Sequence, residues 1–404
     1  MMSNHAKQPN DVVILSGART PVGRFEGALA EVSATELGAV AIRAAVERSG
    51  VIADDIAEVL MGQVVSAGSG QAPARQAGMA AGLPAAVGAT TLSKMCASGL
   101  KAVMLAAQAI RAADADLLVA GGMENMSAVP FILPWARRGL RFGNEHVIDA
   151  LIHDGLRCSL QGWMMGEAAE FIAAEYGLTR EELDEFALRS HWKAIAAMDA
   201  GKFAAEIVPV PVRARDGTTS VVKQDQAPRR ETSLPALAKL PPAFVDDGIV
   251  TAGNSPGLND GAAALVVSSR ARAQAGGQQP LARIVAYGQA AVEPKWLFDA
   301  PARAIPLVLE KAGWSLEDVD LIELNEAFAV QALANGRALA EKGWDWDKVN
   351  VHGGAIALGH AVGSSGARIL VTLLHALRDR SLRRGLASLC LGGGEALAMA
   401  IEAE

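Results

Sequence analysis

The chain has 404 residues, 51% of them hydrophobic but only 4% aromatic, with 41 glycines and a formal net charge of −7. That length supports two or three packed units whose cores rest on Ala, Val, Leu and Ile, and the glycine content suits many tight strand–helix turns. The negative charge argues against generic nucleic-acid binding, and Arg, Asp, Glu or Gly interrupts every apolar run before it reaches membrane-spanning length. Three unevenly spaced cysteines make neither a disulfide framework nor a zinc spacing, and MMSNHAKQPN lacks the apolar core of a signal peptide, so a reduced, cytoplasmic, metal-free protein is expected.

In chain order, DVVILSGART (11–20) reads as an interior strand and ATELGAVAIRAAVERSG (34–50) as a helix stopped by Gly50. SKMCASGLKA (93–102) is a short polar turn running into an alanine-rich helix, and DLLVAGGMEN (116–125) is a second interior strand. This alternation predicts a mixed, largely parallel sheet with helices on its faces. The region 127–250 differs, being richer in Pro, Arg and Trp. Within it, 179–201 predicts an amphipathic helix with a Thr179–Glu182 capping box and Gly201 as its stop, while 211–244 reads as mostly turn and loop. Recurrent apolar and aromatic residues make it an inserted subdomain rather than a linker.

The chain also repeats itself. ERSGVIADDIAEVLMG (47–62) aligns without a gap with EKAGWSLEDVDLIELN (310–325); SGLKAVMLAAQAI (98–110) parallels SGARILVTLLHAL (365–377), and LLVAGGME parallels LCLGGGE. Three segments in the same order indicate duplication with a period far too long for a solenoid. The expected organisation is an N-terminal half over 1–126 completed by about 251–275, the insertion over 127–250, and a C-terminal half over 276–404.

The repeats set Cys96 before one helix and His360 before its counterpart, with Asn325 and Cys390 at strand ends of the second copy. Ligands of α/β sheets gather at strand C-termini and helix starts, so the four are expected to converge. A thiol at a helix start feels the positive end of the dipole, which predicts a lowered pKa; a nearby imidazole takes the remaining proton, and a second thiol can act as acid or base. Such a set suits acyl transfer through a cysteine thioester. Cys158, in RCSLQG, carries no such context and reads as packing, as do His191, His352 and His375.

ARTPVGRFEGAL, CASGLKAVMLA, GGMENMSAVP, TAGNSPGLNDGAAAL, NEAFA, GGAIALGH and LCLGGGEA, in this order along the whole chain, resemble the thiolase family. The resemblance implies two βαβαβαββ halves in a five-layered αβαβα core, a loop domain over coenzyme A, and a homodimer or homotetramer. It implies that Cys96 carries the acyl group, His360 activates it and Cys390 exchanges a proton with the α-carbon. Asn325, through a water, and His360 would form one oxyanion hole, and the N–H groups of Cys96 and Gly392 the other. Substrate contacts would fall at Leu156, Met164, Met165, Ala252, Pro256, Leu258, Leu297, Ala327 and Phe328. Coenzyme A thioesters would be the partners, coenzyme A being substrate and product, with no other cofactor, no metal, no nucleic acid and no membrane.

Several positions depart from the commonest family residues. Met164 replaces a frequent histidine, Pro256 a frequent serine, Ala361 the proline after the active histidine, and Leu297 a methionine beside Trp296 and Phe298. None is one of the catalytic groups. The expected activity is interconversion of two acyl-CoA with 3-ketoacyl-CoA and coenzyme A, at short chain length. The alternatives are a degradative 3-ketoacyl-CoA thiolase of broader or longer preference and, from another class, a non-catalytic acyl-CoA-binding homologue.

Overall fold

The computed structural model describes residues 8–213 and 217–404. Most of the N-terminal segment read as lacking a signal peptide, and residues 214–216 of the stretch read as loop, lie outside the described residues. The first half runs β1 (Val12–Arg19), α1 (Ala34–Ser49), β2 (Glu58–Gly62), α2 (Pro73–Ala80), β3 (Gly88–Leu92), α3 (Ser98–Ala112), β4 (Leu117–Asn125). The insertion follows, carrying α4 (Met165–Glu175) and α5 (Arg180–Asp199), and β5 (Asn259–Ser269) then closes the half. The second half runs β6 (Ala282–Ala291), α6 (Ala300–Ala312), β7 (Leu321–Leu324), α7 (Ala329–Leu339), α8 (Val362–Asp379), β8 (Arg384–Leu391), β9 (Glu395–Ala403).

The main sheet has the order β7-β8-β9-β6-β1-β5-β4-β2-β3. Read outward from the β1–β6 seam, the halves mirror one another. β1 and β6 each pair antiparallel with a closing strand, β5 or β9; each closing strand pairs antiparallel with β4 or β8; each of those pairs parallel with β2 or β7. β3 lies parallel beside β2, and its counterpart has shrunk to the single bridge between Ile322 and Val349. The seam itself is short, Val13 with Arg283 and Ile14 with Ala282.

The sheet is therefore mixed but mostly antiparallel, which corrects the largely parallel expectation. Strand–helix alternation reads as parallel crossovers, but β5 enters after the insertion and β9 after a tight turn, and both take central antiparallel places.

Side chains alternate across the strands and enter different layers. Val12 and Ile14 of β1 join Leu265 of β5, Leu397 of β9, and α3 and α8 in one core, while Val13 and Leu15 join α1 and α2 in another. Ala396, Ala398 and Ala400 of β9 face a third core with α6 and α7 residues. The layers are thus helix, sheet, helix, sheet, helix. In the middle layer α3 and α8 meet at equivalent residues of the repeat: a Cβ on Gly99 would lie 2.7 Å from Ala367 N, and one on Gly366 would lie 2.6 Å from Leu100 N. Glycine at these two points lets the backbones touch. The paired stops also correspond, with φ 66° at Gly50 and 69° at Gly313.

The described strands of the insertion form separate two-stranded sheets, and the segment joins the central sheet at a parallel bridge between Ile207 and Arg19, the last residue of β1. Its long helix has both capping-box bonds, Glu182 N–H to Thr179 Oγ1 at 3.3 Å and Thr179 N–H to Glu182 Oε2 at 2.8 Å. The 211–244 stretch holds more structure than expected: Val210–Arg213 pairs with Thr219–Val222, and Leu234–Leu237 is helical. The Asp-Gly step between two valine-bearing runs is the hairpin signal there. A buried charge cluster fixes the insertion to β1: Arg19 Nε donates to Glu206 Oε1 at 2.6 Å, and its Nη1 and Nη2 to Asp225 at 2.7 and 2.9 Å.

Candidate active site

Cys96 sits in a tight turn between β3 and α3. Lys94 O accepts the Ala97 N–H at 3.1 Å, and Met95 O accepts the N–H of Ser98 at 2.9 Å and its hydroxyl at 2.6 Å. Met95 is left-handed, with φ 46°, a conformation that costs a non-glycine residue about 1–3 kcal/mol. The bent turn stops α3 from engulfing Cys96, which is half-buried and lies two residues before the helix.

The matching turn of the second half joins β8 to β9. Cys390 is paired with Ala396 and Leu391 with Glu395, leaving Gly392, Gly393 and Gly394 as the loop. Positive φ at Gly393 (96°) and Gly394 (89°) explains two of the glycines. The third, Gly392, faces the first turn: a Cβ there would lie 3.4 Å from the Met95 side chain. The Gly392 N–H points at the Cys96 thiol, and Cys96 and Cys390 lie close enough that charge on one disfavours charge on the other.

His360 comes from the loop before α8. Its backbone is held by an N–H bond to Asn259 Oδ1 at 2.8 Å and by a bridge to Leu258. Its Nδ1 lies 2.6 Å from Ser365 Oγ, and Ser365 Oγ lies 2.9 Å from Ala361 O. A carbonyl only accepts, so the hydroxyl proton goes to Ala361 O and Ser365 Oγ accepts from Nδ1–H. Nε2 is then the free lone pair of a neutral imidazole.

The electrostatics overturn one expectation. Burial pushes the Cys96 thiol up to about 11, against smaller lowering by the backbone N–H groups of Gly392 and Cys96, with Glu124 adding to the rise. The helix-start argument predicted a lowered value; desolvation of the thiolate outweighs the backbone N–H groups that face it here. Burial, with Arg368 in support, takes His360 down to about 3, and burial together with Cys96 raises Cys390 well above the ordinary thiol range. The resting site holds two thiols and a neutral base rather than a thiolate–imidazolium pair.

Asn325 follows β7 and is wholly buried, yet neither its Oδ1 nor its Nδ2 has a partner among the described residues. A buried amide left unpaired costs about 1–3 kcal/mol, so this side chain is set up to receive a water or a substrate oxygen. The residues around it are held hard: its N–H donates to Ser388 O at 3.0 Å, and Glu326 accepts from Ser190 Oγ, Asn350 Nδ2 and the Ile356 N–H at 2.7, 2.8 and 3.0 Å.

The expected substrate positions divide into two apolar groups. Leu156 and Leu258 pack with Cys96, Met126, Leu151 and Val362; Met165, Leu297, Ala327 and Phe328 pack in the core that holds Cys390. Leu297 is 1% exposed, and Phe298 is edge-to-face on Phe328 at 5.4 Å, so Phe298 backs this wall. Three positions lie outside both groups: Met164 precedes α4, Ala252 is exposed and Pro256 is half-buried. Ser365 and Glu124 were not singled out from sequence. Ser365 stands in the SSGARI helix start five residues after His360, which is the signal that could have found it. Glu124 is buried and gathers the N–H groups of Val64, Val65 and Gly363 at 2.8, 3.3 and 3.0 Å, tying the two halves below the thiols.

Among the described residues no cluster of three or more His, Cys, Asp or Glu could hold a metal ion, and no helix is long and apolar enough to cross a membrane. The structure brings the Cys96 thiol to the Gly392 N–H with the Cys390 thiol beside it, and adds a buried imidazole with a fixed ring and a buried amide with no partner among the described residues. That is the equipment of an acyl-transfer protein working through a thioester.

Comparison with known proteins gives the same result. Residues 12–271 match the family model "Thiolase, N-terminal domain" and residues 278–403 match "Thiolase, C-terminal domain". The chain is 53% identical over 391 residues to an acetyl-CoA acetyltransferase of Pseudomonas aeruginosa, covering 97% of this chain and 99% of that one. It is 54% identical over 392 residues to an acetyl-CoA acetyltransferase of Cupriavidus necator, with the same coverage. The crystal structure of the Bacillus anthracis acetyl-CoA acetyltransferase superposes with a TM-score of 0.95 at 44% identity, covering 98% of this chain and 99% of that one. The chain belongs to the thiolase family.

Proposed function

We propose that this thiolase interconverts two acyl-CoA thioesters, one of them acetyl-CoA, with a 3-ketoacyl-CoA, typically acetoacetyl-CoA, and free coenzyme A. The carrying observation is the meeting of the Cys96 turn with the Cys390–Gly392 turn, and the reading joins to it His360, whose ring Ser365 holds with Nε2 free. Names and identities of the relatives support the same chemistry.

In the first half-reaction the Cys96 proton passes to His360 Nε2 while the sulfur attacks the acyl carbonyl. The oxyanion collapses, coenzyme A leaves as thiolate and recovers the proton from His360. In the second, the α-carbon of acetyl-CoA loses a proton and attacks the acyl group on Cys96. Cys390 first passes its thiol proton to His360 Nε2; its anion then takes the α-carbon proton and hands it to the departing Cys96 sulfur, after which His360 returns the first proton to Cys390. The N–H groups of Cys96 and Gly392 face one developing oxyanion, and His360 with a water on Asn325 faces the other. Release of coenzyme A between the two steps makes the kinetics ping-pong.

In this reading residues 127–250 form the loop domain over coenzyme A, and Met164, Ala252 and Pro256 line its entry rather than the acyl wall. Coenzyme A is substrate and product, and no further cofactor enters. Free thiols at the reacting centre fit a reducing cytoplasm. Exposed Phe131, Trp135, Leu140 and Phe142 fit a surface covered in a homodimer or homotetramer. Loss of thioester absorbance when acetoacetyl-CoA is mixed with coenzyme A tests the activity. No loss above the enzyme-free rate would refute it.

A further inference from the structure

The site is assembled from two turns that belong to opposite halves, and its geometry depends on their spacing. In the first turn Lys94 precedes Met95 and Cys96; its backbone N–H is bound to Ser98 Oγ at 2.8 Å, and its carbonyl closes the turn on Ala97. In the second, Glu395 is the first residue after the glycine loop and is paired across the hairpin with Leu391, next to Cys390. Lys94 Nζ reaches across and binds both carboxylate oxygens of Glu395, at 2.7 and 2.6 Å. Both side chains are about one-quarter exposed, so the pair is shielded more than an ordinary surface ion pair. Beside it, the Met95 side chain lies against Gly392 and the Gly392 N–H points at the Cys96 thiol.

We propose that the Lys94–Glu395 ion pair is a positioning clamp that sets the distance between the Cys96 sulfur and the Gly392 N–H. Neither residue touches the reacting atoms. Lys94 sits two residues before Cys96 and Glu395 three residues after Gly392. The first turn is braced within itself around a left-handed Met95, and the second is a run of three glycines, so the pair links two turns that their own bonds do not fix to one another. Lys94 is also the better-placed cation, because its two short bonds fix a direction, whereas nearby Lys101 contributes only its charge. The inference rests on Cys96 and Gly392 forming part of the reacting centre in the reading above.

The test compares Lys94→Met, Glu395→Gln and the exchanged pair Lys94→Glu/Glu395→Lys, using iodoacetamide alkylation of Cys96 between pH 7 and 10 followed by peptide mass spectrometry. This readout needs no turnover, so it stands apart from the assay of the activity itself. If the pair acts only through its charges, losing the cation should slow thiolate formation and losing the anion should speed it. If it acts as a clamp, both single variants move the Gly392 N–H away, and both shift the alkylation profile to higher pH, with the exchanged pair recovering most of the shift. In thioester turnover the clamp predicts a fall in kcat of about 5- to 30-fold in each single variant, with KM for acetyl-CoA within about twofold, and recovery in the exchanged pair. Opposite shifts in the two single variants would overturn the clamp, as would profiles identical to the parent. Absence of turnover in the parent protein would count against the activity and leave the alkylation result to decide the clamp.

Discussion

His360 Nδ1 and Ser365 Oγ lie 2.6 Å apart, and the same hydroxyl donates to Ala361 O. One proton on Ser365 therefore dictates which nitrogen of His360 is a base. Replacing Ser365 by alanine frees the ring to adopt the other tautomer and to rotate. We expect kcat to fall about 10- to 100-fold with KM little changed, as befits a lost orientation of a general base. Ser365→Thr should keep most of the activity. Equal activity in Ser365→Ala would show that the hydroxyl does not hold the ring.

The charge state of the resting site has its own signature. With the Cys96 thiol raised to about 11 and His360 lowered to about 3, thiol and imidazole both stay neutral across the physiological range. A raised thiol pKa removes thiolate at neutral pH, so the second-order rate of Cys96 alkylation should keep rising from pH 7 to beyond pH 9. A plateau reached by pH 7 would reveal a preformed thiolate–imidazolium pair and contradict this account.

Arg19 is wholly buried between Glu206 and Asp225, both carried by the insertion. Removing the cation strands two carboxylates in the interior. Arg19→Met should cost about 3–5 kcal/mol of stability, seen as an earlier denaturation midpoint in urea. A midpoint within error of the parent would mean that the cluster does not hold the insertion to β1.

Chain-length preference follows from the wall beside Cys390. Leu297 and Phe298 are almost fully buried, and Phe328 is braced by Phe298 at 5.4 Å and by Phe244 at 6.1 Å. A wall braced by three rings yields little, and each excluded methylene is worth about 1–3 kcal/mol. Thiolysis should favour four- and five-carbon 3-ketoacyl-CoA over substrates of eight carbons or more. Equal or higher kcat/KM on the long substrates would show that the wall opens.

Much of this was legible in the sequence because it was written twice. The paired helix stops at Gly50 and Gly313, and the paired Ser-Gly steps at 98–99 and 365–366, announced two halves and predicted which turns would meet. Strand direction was not legible, since β5 and β9 owe their antiparallel places to where the insertion and the glycine turn return the chain, not to their own residues. The thiol's pKa was misjudged for a related reason. Sequence places Cys96 near a helix start, but only the packed molecule shows how dry the site is and that Met95 bends the chain before the helix begins. Ser365 and the Lys94–Glu395 pair were equally hidden, being contacts whose meaning lies in a hydrogen-bond direction or in a partner 301 residues away.

The central claim is that the acyl group travels on Cys96 and that Cys390 serves only the carbon–carbon step. It is tested most directly by mixing acetyl-CoA with the parent protein, with Cys96→Ala and with Cys390→Ala, then locating the acetyl group by peptide mass spectrometry. The account predicts acetyl-Cys96 in the parent and in Cys390→Ala, no acetyl-enzyme in Cys96→Ala, and condensation only in the parent. Acetyl found on Cys390 or Cys158 instead, or condensation persisting in Cys96→Ala, would contradict it.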